Sequence, residues 1–359
     1  MIFTKLHIPK VDKSVIHRLV LIEKLSDGLD RKLIMVSAPA GYGKTTLIVD
    51  WLSQKGIPTA WCSIDARDND PIEFLKLIIT SVNKQNPEIG KSSLDILNTS
   101  QSISMEYVFE LWINDLLQMQ EEMLLVIDDV HLIKTKHVID IISFLIEYKP
   151  ENLKLVISSR TDPPIALSRL RSQNEILEIR SKDLSFSEHD ISTLYKKQSL
   201  KLSEKDTSLL KQKTEGWIAG LQLTALSLQG NENISEYIET MAGDNRYIMD
   251  YLLEEVMSMQ DEDTNEFLLH TSILEKMEPS LCNAVHKKDN SQEMLEKLEK
   301  SNIFLIPLDD ERKWYRYHHL FGDLLKNKLV AIDKKSIPEL HHRASLWFET
   351  QQQFEFAIT

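Results

Sequence analysis

The chain has 359 residues, of which 42% are hydrophobic and 27% charged, and its formal net charge is −13. Because this length exceeds the size at which one hydrophobic core stops growing, we expect two to four domains of ordinary globular type. The acidic balance argues against a surface that holds a polyanion such as DNA. The N-terminus has no signal-peptide core and no apolar run approaches bilayer length, so we expect a soluble, cytoplasmic protein with no membrane partner.

A phosphate-binding motif lies near the start of the chain. The apolar run Leu33–Val36 leads into Ala38–Thr46, which reads Ala-Pro-Ala-Gly-Tyr-Gly-Lys-Thr-Thr and precedes a helix-compatible stretch. In such a loop backbone N–H groups turn inward around phosphates, Lys44 reaches the β and γ oxygens and Thr45 ligates Mg²⁺. Ala38 stands where the first glycine is usual. The motif predicts nucleoside triphosphate binding by Ala40, Gly41, Tyr42, Gly43, Lys44, Thr45 and Thr46.

The first half of the chain alternates short apolar runs with longer segments of helical pattern. This alternation predicts an α/β fold with a parallel sheet and helices on both faces. Asp70, followed by proline and then by Glu73, is interpreted as a helix N-cap rather than a ligand. The expected strands are Leu33–Val36, Thr59–Ile64, Leu124–Ile127, Leu153–Ser158 and Glu175–Ile179.

Beyond Asp183 the pattern becomes helical. Ser187 and Ser203 each precede an acidic residue by three positions, which is typical of helix starts. Within Thr214–Leu228, helical spacing predicts a buried face of Trp217, Leu221, Ala225 and Leu228. Two apolar runs flank the charged turn Asp309–Lys313 and predict a hairpin, which after several helices suggests a winged helix.

A further amphipathic helix follows Ser336, and the chain ends at Phe356–Thr359 without a helix-ending signal. We therefore expect the N-terminal portion of a longer protein. The expected domains are a nucleotide-binding P-loop domain at 1–183, a helical domain at 184–241, a winged helix at 242–332 and the start of a helical sensor or arm region at 333–359. Cys62 and Cys282 fit no metal or redox spacing and are expected to be buried thiols.

Three further side chains are candidates for chemistry at the carboxyl ends of strands. Asp128 would hold Mg²⁺ through water, and Asp129 would orient the attacking water. Arg160 would sense the γ-phosphate through a charge-assisted hydrogen bond. The alternatives are a simple turn for the aspartates and a surface ion pair for the arginine. We assign catalytic roles to Asp129 and Lys44 and metal binding to Thr45 and Asp128.

The combined pattern resembles the MalT-like regulators, which belong to the signal-transduction ATPases with numerous domains (STAND). The resemblance covers nearly the whole chain. It rests on ordered strings: Lys5–Pro9, Arg18-Leu19, the loop, Trp61 with Asp65, Asn69–Pro71, Asp128–His131, Ser159-Arg160, Thr214–Trp217 and Trp314–Phe321.

This resemblance implies a switch in which the nucleotide-binding, helical and winged-helix domains close over ADP at rest. ATP and an inducer open it for self-assembly, and slow hydrolysis resets it. By the same resemblance, Ile16 and Arg18 lie on the adenine side and Arg160 is a sensor. His318 falls where related switches contact the β-phosphate, although a buried core histidine is the alternative. The inducer-binding region and a DNA-binding helix-turn-helix would lie beyond residue 359.

Two other functions remain open at this point. A metabolic kinase or ATPase would use the same loop on a small substrate, and a turnover of about 1 per second or more would favour it. A pure assembly scaffold would bind nucleotide without acting as a switch. For the leading function we expect at most a slow ATPase that binds ATP or ADP with Mg²⁺.

Overall fold

The computed structural model describes residues 2–10, 15–99, 104–230, 233–241 and 245–353. The chain end at Phe356–Thr359 and the expected domain boundary at residue 242 lie outside these ranges. The fold consists of two compact units. The first comprises Met1–Ala38 and Gly43–Leu184, and the second comprises Pro39–Tyr42 and Ser185–Thr359. The division of the remaining chain into helical, winged-helix and arm domains stays a prediction.

A five-stranded parallel sheet forms the centre of the first unit, in the order β2-β3-β4-β1-β5. Every residue of β1 and β3 is buried, as expected for parallel strands covered on both faces. The five predicted strands are confirmed to within one or two residues. The strands are β1 (Leu33–Ser37), β2 (Thr59–Ser63), β3 (Met123–Asp128), β4 (Leu153–Ser159) and β5 (Ile176–Arg180).

The helices of the first unit pack their apolar faces on this sheet. Asp70 caps α3 as predicted, because its carboxylate accepts hydrogen bonds from the N–H groups of Ile72 and Glu73 at 2.9 and 3.0 Å. The helices are α1 (Leu19–Asp27), α2 (Lys44–Lys55), α3 (Pro71–Gln85), α4 (Lys91–Thr99), α5 (Met105–Leu117), α6 (Lys136–Tyr148), α7 (Leu167–Ser172) and α8 (Ser181–Leu184). Short 3₁₀ turns occupy Phe3–Leu6, Gly28–Asp30, Ala66–Asn69 and Val130–Leu132.

The second unit is helical with one hairpin. Its helices are α9 (Glu188–Lys197), α10 (Glu204–Thr214), α11 (Ile218–Leu228), α12 (Ile234–Thr240), α13 (Arg246–Glu255), α14 (Glu262–Thr271), α15 (Pro279–His286), α16 (Ser291–Lys300), α17 (His319–Asp333) and α18 (Ile337–Thr350), with a 3₁₀ turn at Met257–Met259. The predicted hairpin is confirmed, since β6 (Leu305–Pro307) pairs antiparallel with β7 (Tyr315–Tyr317). The predicted helix starts at Ser187 and Ser203 are confirmed as reciprocal capping boxes.

The apolar helix face predicted within Thr214–Leu228 is confirmed, because Trp217, Leu221, Ala225 and Leu228 are all fully buried. The helix that carries most of this face starts at Ile218, after a break in the helical conformation that we did not predict from the sequence. The reason lies in the backbone: Glu215 (φ 52°) and Gly216 (φ 77°) adopt left-handed conformations that end α10, and Trp217 becomes the N-cap of α11.

Both cysteine predictions are confirmed, since Cys62 and Cys282 are buried and form no disulfide in the described parts of the chain. Among the described residues, no helix combines the length and the apolar character that crossing a bilayer requires.

We predict that Ser187→Ala destabilises the second unit by about 1 kcal/mol, because the Ser187 hydroxyl accepts the Asp190 N–H at 3.2 Å. The melting temperature should fall by about 2–4 °C in calorimetry. Ser192→Ala, an exposed position in the interior of the same helix, is the control and should not lower the melting temperature, because alanine is the better helix former. Equal melting temperatures for the two variants would contradict a stabilising role for this cap.

Candidate functional site

The predicted phosphate loop connects β1 to α2. Gly41 (φ 74°) and Gly43 (φ 77°) adopt left-handed backbone conformations, which let the chain turn sharply. The loop begins with the Ala38 N–H bonded to the Ser159 carbonyl at 3.3 Å, and α2 begins at Lys44. The first N–H groups of α2 therefore lie at the end of the loop, where a helix N-terminus attracts anions.

Lys44 is a buried cation in this loop. Its ammonium group donates to the Ala38 carbonyl at 2.8 Å. Burial lowers the pKa of Lys44 to about 8; the carboxylates of Asp129 and Asp128 oppose this shift, and the nearby Arg160 guanidinium adds to it. The fold thus places two carboxylates and one guanidinium group around a buried ammonium group. The negative oxygens of a phosphate would stabilise that ammonium group.

Thr45 and Asp128 bring two potential metal-ligand oxygens close together, as the predicted metal site requires. The Thr45 hydroxyl donates to the Asp128 carboxylate at 3.0 Å to Oδ2 and 3.3 Å to Oδ1. A second hydroxyl, from Ser158 at the end of β4, also donates to Asp128. Hydroxyl and carboxylate oxygens are the ligands that Mg²⁺ prefers, so these residues fit the implied ion.

Asp129 adopts an unusual backbone conformation beside this pair. Its φ of 63° is left-handed, a region where aspartate is tolerated better than most residues. Its N–H donates to the Ser158 hydroxyl at 3.2 Å, and its carboxylate lies 3.7 Å from Nδ1 of His131. Burial, together with Arg160 and Lys44, lowers the pKa of His131 to about 3, so this histidine is neutral near pH 7.

Arg160 follows the last residue of β4 and is half-buried. Its charge acts on both Lys44 and His131, lowering the pKa of each, so it shares their electrostatic environment. Lys44, Thr45, Asp128, Asp129 and Arg160 therefore come together at the carboxyl edge of the sheet, the position expected for ligand sites in such folds.

The segment Ile16–Arg18 lies beside α2. His17 Nδ1 is 2.7 Å from the buried Asp50 carboxylate on that helix. The Arg18 guanidinium donates to the carbonyls of Leu184 and Asp183 at 2.6 and 3.1 Å. Arg18 therefore anchors this segment to the end of the first unit, and Ile16 is half-buried next to it.

The tip of the loop, Pro39–Tyr42, belongs to the second unit. The Trp217 indole donates to the Ala40 carbonyl and the Ala219 N–H donates to the Gly41 carbonyl, both at 3.0 Å. A Cβ atom on Gly41 would lie 2.5 Å from the Ala219 Cβ, so glycine is required here for space as well as for its backbone angle. Thr46, the last predicted loop residue, is exposed on the first turn of α2.

His318 is fully buried in the second unit. Its Nε2 lies 2.9 Å from the Thr214 carbonyl, and its ring packs edge-on against Phe304 and Trp217 at centroid distances of 5.5 and 6.1 Å. Burial lowers the pKa of His318 to about 4. Because a carbonyl only accepts, Nε2 carries the proton in the neutral ring, and within the described chain nothing bonds to Nδ1.

Several residues of this region were missed by sequence reasoning. We predicted Ser158 only as the end of a strand, although a hydroxyl side chain at the carboxyl end of a parallel strand can indicate a binding site. Glu215 and Arg316 form a two-pronged ion pair at 2.7 and 2.9 Å between residues about one hundred positions apart, a contact with no local sequence signal. Trp217 was expected to be core only, and its N–H donation was not foreseen.

The strand order, the loop and the Thr45–Asp128 pair define an α/β P-loop NTPase fold, followed by helices and a winged helix. Among solved structures, the fold is similar to the walker-type ATPase paby2304 of Pyrococcus abyssi, with a TM-score of 0.62. The match covers 89% of this chain and 98% of that chain at 15% sequence identity, so it concerns the fold alone.

Residues 253–337 match the model of the MalT winged helix domain. The HTH-type transcriptional regulator MalT of Yersinia enterocolitica is 32% identical over 348 residues, which are 96% of this chain and 38% of that protein. MalT of Klebsiella pneumoniae is 33% identical over 90% of this chain and 36% of its own length. The chain is therefore similar to MalT along nearly its whole length, and it spans little more than a third of these relatives.

We predict that protonation of His318 destabilises the fold in acid. The folded pKa of about 4 lies below the unfolded value of about 6.5, so the unfolded chain takes up the proton first as pH falls. Stability contributed by neutral His318 is complete above pH 6.5 and declines toward pH 4, by about 2 kcal/mol at pH 5.

Urea unfolding at pH 7, 6 and 5 checks this prediction against His318→Gln, whose amide can still donate to Thr214. The variant lacks the titrating ring and should lose less stability between pH 7 and 5 than the wild type. Parallel losses in the two proteins would show that His318 does not titrate in this way.

Proposed function

We propose that the chain is the ATP- and ADP-binding regulatory module of a signal-responsive transcriptional activator. The observation that carries the proposal is the convergence of Lys44, the Thr45–Asp128 pair and Arg160 at one edge of the sheet, directly after the phosphate loop. Positive and negative side chains arranged around a helix N-terminus suit a magnesium-bound polyphosphate better than an uncharged ligand.

In this proposal each site residue at the carboxyl edge of the sheet has one role. The loop N–H groups and Lys44 bind the β and γ oxygens, and Arg160 contacts the γ-phosphate. Thr45 directly and Asp128 through water would hold Mg²⁺, which would neutralise charge on the phosphate oxygens. Asp129 accepts a hydrogen bond from the attacking water. No acceptor site for another substrate is required.

The resting state is proposed to contain ADP. Ile16 offers apolar surface on the adenine side, while the anchored Arg18 side chain fixes the segment. His318 is proposed to contact the β-phosphate, and the unused Nδ1 atom supports this role. Since Nε2 already carries a proton, a phosphate contact requires a second proton on Nδ1, and the phosphate charge would stabilise it.

The remaining parts of the switch belong to sequence outside these residues. The curated relatives are named as HTH-type transcriptional regulators, and this chain spans 38% of one of them. We propose that DNA contact and inducer recognition belong to that remainder. ATP, together with the inducer, opens the module and favours self-association, and slow hydrolysis returns it to the ADP form.

We predict that the purified protein carries bound ADP and that Lys44→Ala abolishes this retention. Loss of the ammonium group removes a charge-assisted phosphate contact, so the dissociation constants for ATP and ADP should rise about 10- to 100-fold. The measurement is chromatography of nucleotide released by denaturation, followed by calorimetric titration of the emptied protein.

Lys55→Ala, at the exposed end of the same helix, is the matched control and should bind nucleotide like the wild type. A wild-type protein that binds neither ATP nor ADP would overturn the proposed function.

We predict that Asp129→Asn lowers ATP hydrolysis at least tenfold and changes ATP affinity less than threefold, because the carboxylate acts on water rather than on bound phosphate. Phosphate release under saturating MgATP checks the rate. Wild-type turnover should stay well below about 1 per second. Faster turnover would favour a metabolic enzyme over a regulatory switch.

A further inference from the structure

The segment Thr214–Ala219 contains the turn that joins α10 to α11, and it makes two sets of hydrogen bonds within the second unit. One set reaches the loop tip, where Trp217 and Ala219 donate to the carbonyls of Ala40 and Gly41 at 3.0 Å. The other set reaches the β6–β7 hairpin and the start of α17, which supply Arg316, His318 and His319. The same six residues therefore connect the hairpin to the phosphate loop.

The bonds from Trp217 and Ala219 to the loop both use carbonyl oxygens. A phosphate loop binds its ligand through N–H groups, so a partner that holds the carbonyls leaves the N–H groups available. Ala40 is buried, and its carbonyl requires a partner there. The contact is also close, because a side chain on Gly41 would come within 2.8 Å of the Trp217 indole nitrogen.

The bonds to the hairpin are stronger, since they involve charge. The Glu215 carboxylate accepts both guanidinium N–H groups of Arg316 at 2.7 and 2.9 Å, and it also accepts the His319 N–H at 3.0 Å. Burial raises the pKa of Glu215, but these bonds and the nearby His318 bring it to about 2, so the carboxylate is charged at neutral pH. His318 Nε2 bonds to the Thr214 carbonyl.

The backbone of the turn has two sterically demanding positions. Glu215 has a left-handed φ of 52°, which is unfavourable for a residue with a long side chain. Gly216 leaves no space for a Cβ atom, which would lie 2.4 Å from the Phe186 carbonyl oxygen. Because contacts on both sides hold this turn, we expect it to relax when one side is released.

We propose that Trp217 and Ala219 are positioning residues that hold the phosphate loop in its binding conformation, and that the Glu215–Arg316 ion pair sets how firmly they hold it. The inference rests on the proposed nucleotide-binding function and adds a route for its regulation: any partner or signal that displaces the hairpin loosens the loop. The regulated quantity is the affinity for nucleoside di- and triphosphates.

The experiment compares wild type, Trp217→Phe and Trp51→Phe as full chains. Phenylalanine keeps an aromatic ring but removes the N–H donor. Trp51 is the matched control, since it is also fully buried and donates one hydrogen bond, to the Ser26 hydroxyl at 3.1 Å. Hydrogen–deuterium exchange of the peptide that covers residues 39–42 is measured without nucleotide, and ADP affinity is measured by calorimetric titration.

We expect Trp217→Phe to speed exchange in the loop peptide and to raise the dissociation constant for ADP about three- to tenfold, the effect of one hydrogen bond. Trp51→Phe should change neither. Unchanged loop exchange in Trp217→Phe, or equal effects of both substitutions, would overturn the inference. Because exchange is measured without nucleotide, this outcome is separate from a failure of the wild type to bind ADP.

Arg316→Gln tests the second part of the inference. It removes the ion pair while keeping a polar side chain of similar reach, and it should also speed loop exchange and weaken ADP binding. In the Trp217→Phe background the same substitution should have a smaller effect on ADP affinity, since only the Ala219 bond to the loop then remains. Fully additive effects would show that Arg316 does not act through Trp217.

Discussion

The phosphate loop depends on a separation of its backbone donors from its backbone acceptors. Its N–H groups must stay available for a ligand, while its buried carbonyls must find partners within the protein. The structure meets the second requirement with Lys44, which bonds to Ala38, and with Trp217 and Ala219, which bond to Ala40 and Gly41. These three partners satisfy the loop carbonyls of Ala38, Ala40 and Gly41.

Much of the fold was predictable because it is encoded locally. The five strands are apolar runs bounded by turns, and the helix starts at Asp70, Ser187 and Ser203 have side chains that bond within their own first turn. The order of the strands was not predicted. It places β4 between β1 and β3, a choice that depends on packing across the whole sheet rather than on any short segment.

The candidate site was predictable where a motif fixes its members and unpredictable where distant segments meet. Lys44 and Thr45 lie in the loop motif, Asp128 ends β3 and Arg160 follows β4. The structure brings these four residues together. The Glu215–Arg316 ion pair joins residues far apart in sequence. Both residues lie in strings that carry the family resemblance, but nothing in either string indicates that the two side chains pair. Roles in nucleotide binding, including that of His318, remain predictions.

The position of β4 has a consequence for the size of the site. Neighbouring strands lie about 4.8 Å apart, so β1 and β3 are separated by about 10 Å, and the width of one strand sets the opening between the loop and Asp128. In the structure the Thr45 hydroxyl bridges part of this opening by bonding to Asp128. Because this hydroxyl donates its hydrogen, its oxygen would still be able to bind a metal ion while Asp128 holds the ion through water. The spacing of the strands therefore sets the width of the site, and the Thr45 side chain lies within it.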